Sequence, residues 1–324
     1  MKEKPTVRPP KVPRRNLHGV ILLDKPLGLS SNDALQKVKR LYRAEKAGHT
    51  GTLDPLASGL LPLCFGAATK FSQVSLDADK TYRARIKLGR RTTTGDAEGE
   101  VIQDRAIEFT DEQLTQAVAS LTGDIDQVPP MFSALKHEGK ALYEYAREGI
   151  EIKREPRRVR IHRFDILERQ ASELLVEVSC TKGTYIRTLA DDLGEKLGCG
   201  AHLSSLRRTA AGPVTLAGAY TLDQLLAMPE AEREALIQPL DVLLGDRPSI
   251  SLQDADAGRF LSGVRRKGEW PESELVRVYG PNTNAFLGTA QVVAGELIPS
   301  RLLSPVEVQS LLLQAYRAHG RASE

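Results

Sequence analysis

Four apolar residues in a row, Val20 to Leu23 within GVILLDKP (19–26), predict a short buried strand that ends at Pro26. In LSSNDALQKVKRLYR the spacing changes. Ala34, Leu35, Val38, Leu41 and Tyr42 recur at helical intervals, with Ser and Asn ahead of them as N-cap residues. AGHTGTLDPLASGLLPLCFG (47–66) then reads as a Gly-rich loop leading into a helix near Ala67 to Leu76. KTYRARIKLGRRTTTGDAEGEVI alternates at Tyr82, Ala84, Ile86 and Leu88 and turns at TGDAEG, which predicts a strand and the start of a hairpin. TDEQLTQAVASLTG (110–123) is a capped amphipathic helix closed by Gly123.

From Pro129-Pro130 the pattern differs. A helix is expected around Ala141 to Glu148, followed by a basic run in which Lys153, Arg154, Arg157, Arg158, Arg160 and Arg163 meet only Glu151 and Glu155. Two strands follow, RVRIHRFDIL and ELLVEVSCT, and then a helix in GTYIRTLADDLGEKLGCG with Gly198 as its C-cap. Strands that alternate irregularly with helices, interrupted by hairpins, predict an α+β fold with a mixed sheet rather than a βαβ array. After about Asp246 the short strands ELVRVYG, AFLGTAQVVAG and ELIPSRLL predict a small β-rich second domain, and SPVEVQSLLLQAYRAHGR closes it with a capped helix. There is no internal repeat.

Composition changes this picture little, except in its charge. The chain of 324 residues is 41% hydrophobic and 27% charged, ordinary for globular domains and long enough for one large and one small domain. Its net charge is +3, yet residues 1–15 hold six basic side chains against Glu3 alone, +5, which leaves −2 for the remainder. That Pro-punctuated tail reads either as a flexible phosphate-seeking arm or as a solvated terminus without a partner. Val20 to Leu23 is far too short for a signal peptide, and no run reaches the roughly 18 apolar residues that span a bilayer. Cys64, Cys180 and Cys199 are odd in number and widely spaced, and the six histidines form no HxH or HxxxH pair. A reducing, cytoplasmic setting is expected, with no disulfide and no protein metal site.

Familiar catalytic signatures are missing. There is no P-loop, no GxGxxG between a strand and a helix, and no GxSxG. What remains is Asp54, a lone carboxylate before Pro55 in HTGTLDPLASG. It reads as an Asx-turn bonded to its own backbone, or as a fixed acid with a chemical task, with Asp96 or Asp191 able to fold near it. Lys80, Tyr82, Arg83 and the KGTYIR segment suit a polyanion that carries planar bases, since Arg and Lys attract phosphate and Tyr offers a stacking face. Each has a plainer reading. The basic run also serves as protection of a strand edge, and the tyrosines serve as strand or core aromatics.

Four blocks decide between these readings. GVILLDKPLGLSSNDALQKVKR, AGHTGTLDPLASGLLPLCFGAATKF, DKTYRARIKLGRRTTTGDAEG and GTYIRTLADDLGEKLGCGAHLSSLRR together resemble the TruB family of tRNA pseudouridine synthases. The resemblance runs in register from about Gly19 to Thr209 and fades after about residue 212. It implies the pseudouridine synthase fold, a mixed and largely antiparallel sheet flanked by helices, plus a small β-rich PUA-like C-terminal domain. The implied division is a basic flexible tail over 1–18, a catalytic domain over 19–248 with a thumb insertion at about 129–158, and the small domain with its terminal helix over 249–324.

The resemblance also implies the chemistry: a uridine of the tRNA T-loop, position 55 in tRNA numbering, isomerised to pseudouridine without cofactor or metal. By it, Asp54 is the catalytic aspartate, acting as nucleophile at C1′ or as base toward the 2′ proton. Arg187 is the neighbouring cation that favours the charged carboxylate, expected in a dry pocket, with Asp96 holding that guanidinium. Tyr82 stacks on the extracted uracil, Tyr185 and Leu206 supply a hydroxyl and an apolar floor, and His49 sits among the flipped nucleotides. Lys25 and Pro26 buttress the catalytic loop, and Arg157 and Arg158 reach RNA backbone. The T-arm of tRNA is the implied partner of a monomer that needs no protein partner, no membrane and no cofactor. The competing readings are a guide-RNA-dependent pseudouridine synthase, a catalytically idle tRNA-binding or folding protein, and a nucleoside hydrolase.

Overall fold

The computed structural model describes residues 13–245, 247–281 and 285–320, with side chains as far as 314. Residues 1–12, most of the basic tail, lie outside them. The tail expected to be flexible through residue 18 is held earlier: Arg15 forms a bridge with Ala44 and ion pairs with Glu230 and Glu234, and Leu17 and His18 are buried.

Strand Gly19–Lys25 forms where the apolar run predicted it, and that run is buried on both faces. Ile21 and Leu23 pack with helix Ser31–Leu41, while Val20 and Leu22 face a second cluster around Phe71 and Leu243. Such a continuous apolar run is what a sheet covered on both sides requires. The sheet's strand order is Tyr220–Thr221, Gly19–Lys25, Ala57–Phe65, Ala201–Ala211, Lys80–Leu88, Glu173–Cys180, Arg157–Gln170 and Gly123–Gln127, with two short strands branching off. Two pairings are parallel, Gly19–Lys25 with Tyr220–Thr221 and Ala57–Phe65 with Ala201–Ala211, and the others are antiparallel. The expected mixed, largely antiparallel sheet is present. Helices Asp111–Ser120 and Ile186–Lys196 cover one end of it through a core that includes Leu114, Leu121, Leu189, Leu193, Ile86 and Val176. A second sheet of five strands, starting at Ser249–Ser251, carries the β-rich C-terminal part.

Three local expectations are corrected. The stretch 47–66 is not one loop, because Ala47–His49 and Ala57–Phe65 are strands and only residues 50–56 connect them. The helix expected over 67–76 is broken at Phe71 into a 3₁₀ turn, Gly66–Lys70, and a short helix, Ser72–Asp77. The basic run does not form a sheet edge: Arg157–Gln170 lies one strand inside, and the edge is Gly123–Gln127. Strand Ala201–Ala211 and helix Asp254–Leu261 were not anticipated. Within residues 129–158 a helix forms at Leu142–Arg147, inside the range expected for it.

Candidate active site

The connection 50–56 is short, and six of its backbone groups are tied to neighbouring segments or to its own end. Thr50 N–H donates to Pro62 O (3.1 Å), and Ala57 N–H donates to Asp54 O (3.0 Å). The Ser31 hydroxyl accepts from Leu53 N–H (2.7 Å) and donates to Leu53 O (3.0 Å). Gly28 N–H donates to Pro55 O (2.8 Å), and Arg208 Nη2 donates to Gly51 O (3.2 Å). Gly51 needs its glycine for conformation, with φ +95°. Asp54 is therefore presented on a fixed loop between two strands of the sheet.

The Asp54 carboxylate does not close an Asx-turn. Its Oδ2 accepts from Arg187 Nη2 at 3.2 Å, across 133 residues of sequence. Arg187 sits in the first turn of helix Ile186–Lys196 and is itself held on every side. Its Nη1 lies 3.4 Å from Asp96 Oδ2 and donates to Thr94 O (3.3 Å), while Nη2 donates to Phe132 O (2.7 Å). Asp96 is fastened in turn by the Thr94 hydroxyl and by Glu98 N–H at 3.1 Å. The exposures differ in a telling way: the side chains of Arg187 and Asp96 are 10% and 11% exposed, that of Asp54 57%. The dry pocket expected around Asp54 is thus corrected: in the free protein the buried partner of Arg187 is Asp96. Asp191 does not join the site, because its carboxylate is paired with Arg91 at 2.7 and 2.9 Å.

A cavity of about 490 Å³ opens over Asp54, lined among others by His49, Asp96, Arg187, Leu206 and, from the segment after Pro129-Pro130, Phe132 and Ser133. Tyr82 and Tyr185 stand beside it rather than in its lining, both half-buried. Burial pushes both phenols upward in pKa. Arg208 pulls Tyr82 back, and Ser133 does the same for Tyr185. Burial, with Arg208 adding to it, lowers the His49 imidazole, and its Nδ1 is buried without a hydrogen-bond partner. That neutral ring suits a nucleotide contact better than a charge–charge contact.

Beneath the loop lie three buried cations. Lys25 Nζ donates to Pro26 O (2.9 Å) and Leu29 O (2.6 Å), and burial pushes its ammonium down to about 8 although Asp54 pulls it upward. Lys80 Nζ donates to the carbonyls of Ser75 and Leu76, at the end of helix Ser72–Asp77, and burial brings it to about 8 as well. Arg208 donates through Nε to Leu60 O (2.8 Å). Among the described residues no three His, Cys, Asp or Glu side chains gather as a metal site.

Comparison with known proteins gives this geometry its family. Residues 39–186 match the profile described as TruB family pseudouridylate synthase, N-terminal domain. Residues 187–245 and 248–303 match two TruB C-terminal profiles, so the similarity continues well past residue 212. The chain belongs to the TruB family. The protein called tRNA pseudouridine synthase B in Cupriavidus metallidurans is 55% identical over 313 residues, covering 94% of this chain and 99% of that one. Its namesake in Ralstonia pickettii is 54% identical with the same coverage. Among solved structures, a Cbf5–Nop10–Gar1 complex aligns with TM-score 0.70 and 26% identity, covering 90% of this chain and 86% of that one.

Of the TruB-type site residues expected from sequence, the structure brings Asp54, His49, Arg187, Asp96 and Leu206 to one cavity. Lys25 and Pro26 precede a turn that is joined to the loop 50–56 through Gly28 and Pro55, with Lys25 buried beneath it. Arg157 and Arg158 are exposed on their strand outside the cavity, and Arg158 lies 3.8 Å from Asp124 and 3.5 Å from Asp126 on the edge strand. Sequence reasoning missed Ser31, Gln127 and Arg208. A lone Gln or Ser carries no motif signal, and Arg208 was hidden in SLRR, where it reads as surface charge. An arginine spaced two residues from Leu206 in the same strand shares its face of the sheet, and that was the available clue.

Proposed function

We propose that this TruB-family chain isomerises uridine 55 of the tRNA T-loop to pseudouridine, with Asp54 as the reacting carboxylate. The flipped uridine enters the cavity over Asp54. The C1′–N1 bond breaks, the uracil turns, and C1′ bonds to C5; the C5 proton leaves and N1 ends protonated. Asp54 either attacks C1′, forming an ester that the turned base displaces, or removes the C2′ proton to give a glycal, to which the turned uracil adds through C5 as that proton returns to C2′. Arg187 orients the carboxylate, Tyr82 stacks on the uracil, Tyr185 and Leu206 bound the base, and His49 meets the flipped nucleotides. No redox step or external energy is needed, because bonds are exchanged within one nucleotide.

The observation that carries the reading is a solvent-open carboxylate on a rigid loop, bonded to a guanidinium that is otherwise fully engaged. An idle binder has no use for that arrangement, and a nucleoside hydrolase needs a second free acid where Asp96 is already committed. Against the guide-RNA-dependent alternative stands the 55% identity, over 94% of this chain, to the protein called tRNA pseudouridine synthase B. A monomer acting alone in the cytoplasm on the T-arm, with the thumb at 129–158 closing over it, completes the proposal.

Incubation of unmodified tRNA transcript with the purified protein, followed by mapping of the converted uridine, tests the substrate. Asp54→Asn is expected to lower conversion at least about 100-fold while tRNA affinity stays within about threefold. Tritium release from 5-labelled uridine beside a filter-binding curve measures both. Conversion at another uridine would correct the specificity, and turnover near that of wild type would remove Asp54 from the chemistry.

A further inference from the structure

Gln127 is 2% exposed and ends the edge strand Gly123–Gln127, directly before Val128-Pro129-Pro130 and the thumb. Its side-chain amide is spent entirely on one residue. Oε1 accepts from Tyr185 N–H at 2.7 Å, and Nε2 donates to Tyr185 O at 3.1 Å. An amide paired with both backbone groups of one residue acts like a neighbouring strand and fixes that residue's backbone. Tyr185 needs this support. It holds an extended conformation (φ −100°, ψ 109°) just ahead of helix Ile186–Lys196, which has no side-chain N-cap. Two residues on stands Arg187, whose Nη2 reaches back to Phe132 O, five residues beyond Gln127. The thumb's entry is therefore pinned twice to the start of this helix, once at Tyr185 and once at Arg187.

We infer that Gln127 is a positioning residue for catalysis: it sets the direction of Tyr185 and, through the helix start, of Arg187, and so couples the base of the thumb to the pocket. The inference rests on the pseudouridine synthase reading above and names a residue that acts through its two neighbours, without touching the base. A role in stability alone would lower the melting temperature and change the rate only through the folded fraction.

Two substitutions separate these cases. Gln127→Leu keeps the volume and removes both hydrogen bonds. In folded protein, single-turnover conversion is expected to fall about 10- to 100-fold, with tRNA Kd unchanged within about threefold. Gln127→Glu supplies a second handle. Its protonated carboxyl offers one donor and one acceptor, as the amide does, while the carboxylate only accepts and faces Tyr185 O with negative charge. Burial raises the titration of such a carboxyl. The ratio of the Gln127→Glu rate to the wild-type rate should therefore fall as pH rises, and taking the ratio cancels the titration of Asp54.

A readout independent of activity is the fluorine NMR signal of Tyr185 in protein labelled with 3-fluorotyrosine. It should shift in Gln127→Leu and move with pH in Gln127→Glu. An unmoved Tyr185 signal overturns the inference whatever the rates are, and so does a folded Gln127→Leu protein with wild-type rate or a pH-independent rate ratio. Failure of the wild-type protein to convert tRNA would overturn the proposed function instead, and the fluorine signal would still decide whether Gln127 positions Tyr185.

Discussion

Arg187 has two carboxylate neighbours, and burial assigns them different work. Asp96, 11% exposed and fastened by Thr94 and Glu98, balances the guanidinium's charge inside the fold, whereas Asp54, 57% exposed, remains open to solvent. Stability and activity should therefore separate at this pair. Arg187→Met is expected to cost on the order of 3–5 kcal/mol, because it strands a buried carboxylate. Adding Asp96→Asn should return most of that stability while leaving conversion as low as before, since nothing then orients Asp54. Arg187→Lys keeps the charge without the planar fork and should restore activity only in part. Urea melts beside single-turnover rates check this. If the second substitution recovers no stability, Asp96 is not the buried counter-charge. Asp54 and Arg187 were legible in the sequence as parts of long blocks, but which carboxylate is buried depends on packing between segments far apart in the chain.

Elements were legible where period and punctuation agreed, as in helix Asp111–Ser120, with its Thr110–Gln113 capping box, and the alternating strand Lys80–Leu88. Ala57–Phe65 was misread because Gly59 and Pro62 are breakers by local rules. Gly59 sits at φ +100° in the strand, where a Cβ would come within 2.3 Å of the Arg208 carbonyl. Pro62 pairs opposite Leu22, and its own carbonyl takes the Thr50 N–H. Only the neighbouring strands make those residues fit. The basic strand Arg157–Gln170 gives the opposite lesson, since its charge was legible but its neighbour was not. Arg158 and Arg160 lie near Asp124 and Asp126, so part of the positive field is cancelled before RNA arrives. Changing Arg157 and Arg158 to Ala should flatten the log–log salt slope of tRNA binding by about 0.7–0.9 for each phosphate lost. Asp124→Ala should act the other way and tighten binding at low salt. Filter binding across a salt series measures both, and an unchanged slope in the arginine variant would return this strand to an ordinary solvated surface.

Across the whole molecule, the two sheets share a core rather than a tether. Phe71 meets Phe286 edge-on with centroids 5.2 Å apart, and Leu303 joins the cluster that covers Leu22 and Leu60. The seam also carries titrating groups. Gln314 of the terminal helix pairs with both backbone groups of His18 (3.2 and 2.8 Å), and Glu307 pairs with Lys70 at 2.6 Å. His18 Nδ1 accepts from Ala67 N–H at 2.9 Å, so charging the ring puts a proton on the one nitrogen already used as an acceptor. Burial lowers the His18 pKa below its usual value. Burial alone would raise that of Glu307, but Lys70 and Ser304 outweigh it and the net direction is down. A depressed folded-state pKa contributes stability that is present above the unfolded value and lost as pH falls through the folded one. Both groups therefore loosen the seam in acid, His18 beginning below its unfolded value of 6.5 and Glu307 below 4.5. His18→Asn leaves an acceptor for Ala67 N–H and nothing to titrate. It should remove the upper limb of the acid loss, which is at most about 1.4 kcal/mol per pH unit for one proton, and leave the lower limb in place. Urea midpoints from pH 7 down to pH 4 measure it. A variant that loses stability in parallel with the wild type over the upper limb would show that His18 stays unprotonated there and that the seam takes its acid sensitivity from other groups.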